Sequence, residues 1–179
     1  PGPGMNLWIV ALILIGTSSI LGAVNFLVTI FRMRAPGMTL FRMPIMVWTI
    51  IVTSVLVLMG TPVLTSALIM LFVDRNFGGS FFDPTTGGSA ILWQNIFWFY
   101  SHPAVYIMIL PAMAVVSEVI AAFSRKHIFG YRMIAYSSVS IALLSFLVWG
   151  HHMFVSSEST LATLIFSAIT FTIAIPSAI

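Results

Sequence analysis

The chain has 179 residues, 60% of them hydrophobic and only 6% charged, with a net charge of +3 and no cysteine. A soluble domain carries about 25% charged residues, so this composition excludes water as the solvent and points to a lipid bilayer. The missing cysteines exclude disulfides and zinc–thiolate sites, and so small and scattered a positive charge argues against nucleic acid.

In chain order, the few charges divide the sequence into five apolar runs, over about 7–31, 45–73, 91–122, 133–154 and 160–179. Each reaches the ~20 residues that cross a hydrocarbon core at about 1.5 Å per residue. Backbone groups in lipid must be satisfied within their own segment, so the runs are expected as helices. The expected fold is an all-α membrane protein, one partial domain over 1–179 with five transmembrane helices.

The first run carries Ser18, Ser19 and Asn25, and is followed by a connection holding Arg32, Arg34 and Arg42. The second connection mixes Asp74, Arg75 and Asp83 with Gly78, Gly79, Pro84, Gly87 and Gly88. It lacks the GxxxxGK pattern and reads as turns, not as a phosphate cradle. The third connection is basic again, with Arg125, Lys126 and Arg132 around His127, and the fourth has only Glu158. The positive-inside rule places loops 32–43 and 123–132 on the cytoplasmic or matrix side. No charged leader precedes Met5, and the last run stops at Ile179 without a cap, so the chain reads as an internal piece of a longer protein.

Ionisable groups at membrane depth are costly, and each is a candidate for function. His102 lies in the third run, and His151 and His152 lie near the end of the fourth. His102 is about 30 Å above the inner loop and His151 about 27 Å, counted at the helical rise. Three imidazoles at one level without a nearby carboxylate suit copper or zinc better than magnesium or calcium. The alternative is that they hydrogen-bond between helices. Neighbours such as His151 and His152 diverge by about 100° on an ideal helix, so a shared ion would have to sit close against it.

Pro103 follows His102, so the helix is expected to kink there and loosen around His102. Tyr106 is four residues on, on the same face as His102; it is either a proton and electron donor beside a metal or a core tyrosine. Glu118, near the inner end of the third run, is expected to extend its carboxylate to the interface.

The segment Trp93-Gln94-Asn95-Ile96-Phe97-Trp98-Phe99-Tyr100-Ser101-His102-Pro103-Ala104-Val105-Tyr106-Ile107 resembles the sixth-helix signature of haem–copper respiratory oxidase subunit I. Trp149-Gly150-His151-His152-Met153-Phe154 resembles that family's seventh-helix histidine pair, and the segments at 32–39 and 129–132 match its inner loops. The likeness runs through all 179 residues and implies helices four to eight of a twelve-helix bundle.

The resemblance implies that His102, His151 and His152 hold copper and that Tyr106, bonded covalently to His102, helps to split O2. Trp98 and Trp149 match residues lining the haem pocket. Haem is implied as well, but His127 belongs to an inner loop and no histidine remains in a membrane run to bind its iron. The axial ligands are therefore expected outside this chain.

A-type members usually carry glutamate where this chain has Ala104. Tyr100-Ser101 instead resembles the Tyr-Ser-His-Pro subtype, in which a tyrosine hydroxyl takes over proton transfer; ordinary packing of Tyr100 is the alternative. Ser18, Ser19 and Asn25 match the same proton route, although hydroxyls in helices also bond back to their own backbone. Ser117 and Ser177 match a second route. The implied partners are the remainder of subunit I, subunits II and III, cytochrome c, O2 and the lipid bilayer, in a bacterial cytoplasmic membrane in preference to a mitochondrial one. A quinol oxidase of the same family is one competing function, and a metal-binding transporter or structural bundle is another.

Overall fold

A computed structural model of the chain describes residues 2–156 and 159–179. Glu158 lies outside the described residues. Within them are five α-helices and no strand: α1 (Pro3–Arg32), α2 (Ile45–Phe77), α3 (Ala90–Ser124), α4 (Tyr131–Ser145) and α5 (Thr160–Ser177). Four of these, all but α4, are long and apolar enough to cross a membrane. Pro3 occupies the first turn of α1, where its missing N–H costs nothing. Gly78 closes α2 in the left-handed conformation at φ 66°, a geometry that glycine adopts freely. Ser89 caps α3 by accepting from the amide of Leu92, and Ser159 caps α5 through Ala162.

Helix α2 is the centre of the bundle, packed along both α1 and α3, while α4 and α5 pair beside it. Val52, Leu56, Leu110, Ile141, Ala142 and Ile173 join α2, α3, α4 and α5 in one buried apolar cluster, with Tyr106 against it. Large apolar side chains stay exposed elsewhere, including Leu7, Leu14 and Leu21 on α1 and Phe171 and Ile175 on α5. Water does not tolerate an apolar surface of that extent, but a bilayer does.

The fourth element departs from the expected run over 133–154. Helix α4 has 15 residues and ends at Ser145, and a separate 3₁₀ turn spans Trp149–His152. The cause lies in a contact with another helix: Gly150 sits so close to the Phe166 ring on α5 that a Cβ at that position would overlap it. Tertiary packing, not local preference, sets this backbone.

The inner end is tied by polar contacts. Pro44 gives α2 no side-chain cap, and Glu118 of α3 supplies one by accepting the Met46 amide at 3.0 Å. The expected interfacial carboxylate is therefore half-buried in an interhelical cap. Tyr131 of α4 donates to the Met43 carbonyl at 2.5 Å and Trp48 of α2 to that of Leu40 at 3.0 Å, holding the first basic loop against both helices. Replacing Glu118 by alanine is expected to lower thermal stability by about 1 kcal/mol, the usual value of a helix cap. Glu118→Gln keeps the acceptor and should lose less in the same unfolding measurement.

Candidate metal centre

His102 is brought to the centre by α3, which runs unbroken through Pro103 and Pro111. His102 is only 5% exposed. His151 and His152 arrive from the 3₁₀ turn, freed from ideal α-helical spacing. One donor atom from each of His102, His151 and His152 lies within 4.8 Å of the others. The sequence objection about diverging neighbours is thereby removed: the His151 and His152 ring centroids are 4.4 Å apart, and those of His102 and His151 4.6 Å.

The nitrogens are arranged to converge. His102 Nδ1 and His152 Nε2 face each other at 3.1 Å. His151 Nδ1 lies 3.0 Å from the Thr170 hydroxyl, which already donates its proton to the Phe166 carbonyl at 2.6 Å. Thr170 can then only accept, so His151 Nδ1 carries the ring proton and Nε2 keeps its lone pair. This is how an outer hydrogen bond selects the tautomer of a metal-binding imidazole. Three imidazoles without a carboxylate fit a copper or zinc ion.

Aromatic rings brace the cluster. Trp98 stacks on His152 with centroids 3.8 Å apart and planes 3° from parallel. Trp149 turns edge-on to Phe99 and Phe166 and donates to Asn95 at 3.3 Å, so it braces the turn, with the Trp98 ring against the histidines. Tyr106 meets His102 edge-on, its centroid 5.0 Å away. His102 Nε2 is buried without a hydrogen-bond partner.

The remaining sequence candidates are dispersed. Ser18, Ser19 and Asn25 lie on exposed faces of α1, and Ser19 bonds back to Ile15. Tyr100 is half-buried against α2 at Gly60, and Ser101 beside it is half-buried. Ser117 and Ser177 bond back to Met113 and Ile173. Ser117 also lines a cavity of about 70 Å³ with Thr49, Ser137 and Ser138. These last three and Thr170 were missed by sequence reasoning. Hydroxyl residues among apolar ones were the available signal, but spacing does not reveal which share a cavity.

Replacing Thr170 by valine removes the acceptor that holds His151, and metal affinity is expected to fall about 10–100-fold, as for other outer partners of metal ligands. Copper retention during graded chelation checks this.

These features define a helical integral membrane protein with a three-histidine, metal-ready centre. The family described as cytochrome c and quinol oxidase polypeptide I matches residues 1–179. The chain belongs to that family, the haem–copper oxidase subunit I family. It is 54% identical over 176 residues to cytochrome c oxidase subunit 1 of Synechocystis sp., covering 98% of this chain and 32% of that protein. It is 49% identical over 174 residues to the subunit of the same name from Thermostichus vulcanus, covering 97% and 32%. The corresponding figures for that of Bacillus sp. are 48% over 176 residues, covering 98% and 29%. The chain spans about a third of the length of these relatives.

Proposed function

We propose that this chain is the copper-holding part of the catalytic subunit of a terminal oxidase. The enzyme reduces O2 to water with electrons from cytochrome c and couples this to proton pumping. The observation that carries the reading is the convergence of His102, His151 and His152 within 4.8 Å, in a chain of the oxidase family. Copper held there would supply one of the two metals at which O2 is reduced, the other being haem iron with ligands in the rest of the subunit.

The chain's own residues have distinct tasks. His102, His151 and His152 hold the ion, Thr170 fixes the His151 tautomer, and stacking on Trp98 fixes the His152 ring. Tyr106 supplies a proton and an electron beside the centre. A covalent bond from Tyr106 to His102 would use the Nε2 that is buried without a partner, which supports that assignment. Trp98 and Trp149 line the haem side. Tyr100 with Ser101, Ser18, Ser19 and Asn25 serves one proton route, and Ser117 with Ser177 serves a second. The cavity beside Ser117 supports the latter.

The relatives named as cytochrome c oxidases favour cytochrome c over quinol as the donor. The remainder of subunit I and subunits II and III complete the enzyme. Bacterial relatives support a bacterial cytoplasmic membrane, and the arginines of loops 32–43 and 123–132 support placing those loops on the cytoplasmic side.

The test is oxygen uptake by the complete, purified oxidase. Rapid uptake with reduced cytochrome c and copper bound in the subunit are expected. Uptake with quinol alone would instead favour the quinol oxidase, and metal binding without oxygen uptake would contradict the reading. In the same enzyme, Tyr100→Phe is expected to slow turnover about 10²-fold, the scale of a lost proton-transfer group, with metal content unchanged.

A further inference from the structure

Among the described residues, two buried side-chain polar atoms have no hydrogen-bond partner: His102 Nε2 and Thr61 Oγ1. Thr61 lies in the middle of α2 and is only 2% exposed. Leaving such a group unmet costs about 1–3 kcal/mol. Other buried helical hydroxyls of this chain avoid that cost by bonding back, as Thr53 does to Ile50, Ser138 to Ala135 and Ser145 to Ala142. Thr61 does not.

The next residue gives a physical reason to expect a guest. Pro62 lies inside α2 and has no N–H, so the Leu58 carbonyl loses its usual i+4 donor. Thr61 is three residues after Leu58, on the same side of the helix. A hydroxyl that can donate and accept thus neighbours a carbonyl short of a donor, and buried waters are held by two to four such partners, roughly.

Three helices close around this point. A Cβ on Gly16 of α1 would lie 3.2 Å from the Thr61 methyl and 3.3 Å from the Thr65 hydroxyl. On α2 itself, a Cβ on Gly60 would lie 3.0 Å from the Tyr100 ring of α3. The absence of side chains at Gly16 and Gly60 lets α1 and Tyr100 approach the segment that carries Thr61.

We propose that Thr61 Oγ1 and the Leu58 carbonyl hold a buried water at the α1–α2–α3 junction, and that this water exchanges protons with Tyr100. The water itself rests on Thr61 and Pro62; its role in proton supply rests on the reading of Tyr100 above. The transfer balances along the route proposed above: the water takes one proton from the Ser18, Ser19 and Asn25 side and gives one to the Tyr100 oxygen, and the Tyr100 hydroxyl passes its own to Ser101, so that water and phenol are both restored. Thr61 is then a positioning residue, not a catalytic one.

The test is high-resolution imaging of the complete oxidase with turnover measured across pH. Water density within hydrogen-bond distance of Thr61 Oγ1 and the Leu58 carbonyl is expected. It should vanish in Thr61→Val, which keeps the shape, and persist in Thr61→Ser. Turnover should fall about 10-fold in Thr61→Val, with a shifted pH profile, and recover in Thr61→Ser, as expected of a proton-transfer partner. An empty site with the Thr61 hydroxyl turned onto its own backbone overturns the water. Loss of the density in Thr61→Val with an unchanged rate and pH profile overturns its link to Tyr100. A fully active Tyr100→Phe enzyme that retains the density would sink the Tyr100 reading while leaving the water site in place.

Discussion

Replacing His102 by leucine is expected to empty the copper site of the complete oxidase and cut oxygen uptake by about 10³-fold or more, at least ~4 kcal/mol of lost transition-state stabilisation. The cause is local. On the proposed reading His102 is the one histidine that α3 offers to the ion, and its Nδ1 faces His152 Nε2 at 3.1 Å. Two imidazoles from one short turn then remain, without a donor opposite them. Folding should not suffer in proportion. Leucine keeps an apolar side chain in the space of the buried ring, and the lost bond to His152 is worth about 1 kcal/mol. The metal-free variant should therefore unfold within about 1 kcal/mol of the metal-free parent. Metal analysis, oxygen uptake and thermal unfolding read the three quantities separately. A variant that loses activity only because it unfolds would speak against a ligand role.

Gly150→Val is the second severe change. Even a Cβ at residue 150 would overlap the Phe166 ring, and neither group has an easy retreat. Phe166 packs edge-on against Trp149, and its carbonyl accepts the Thr170 hydroxyl that fixes His151. Displacing α5 therefore disturbs the ligand turn twice, through the backbone of Gly150 and through Thr170. Overpacking costs about 1–3 kcal/mol in a well-filled core. Because the strain falls on the two residues before His152, copper retention should decline more than global stability. Gly150→Ala should show the same pattern more weakly, whereas Gly22→Ala, where a Cβ meets nothing within 4 Å, should leave both unchanged.

The bundle and its histidines were legible in the sequence for different reasons. Helix spans follow from length, apolarity and the rule that lipid leaves no backbone group unmet, so α1, α2, α3 and α5 could be anticipated from composition. The three histidines stood out because ionisable groups are rare at membrane depth. The ending of α4 at Ser145 was not legible, since it depends on Phe166 pressing against Gly150, a contact between residues far apart in sequence. Hidden for the same reason were the outer hydrogen bond that His151 donates to Thr170 and the cap that Glu118 places on α2. Both join a polar atom on one helix to a group on another, and periodicity along either strand of sequence carries no record of the pairing. Thr61 is the reverse case: the Thr-Pro dipeptide was in view, but nothing in it announced that the hydroxyl would be buried and unmet.

X-ray absorption at the copper edge of the complete oxidase, compared between the parent and the His102→Leu and His152→Leu variants, bears most directly on the centre. The account predicts three imidazole nitrogens around the ion in the parent, and loss of the ion or of one imidazole in each variant. A copper environment without histidine scattering, or one unaltered by both substitutions, would contradict it.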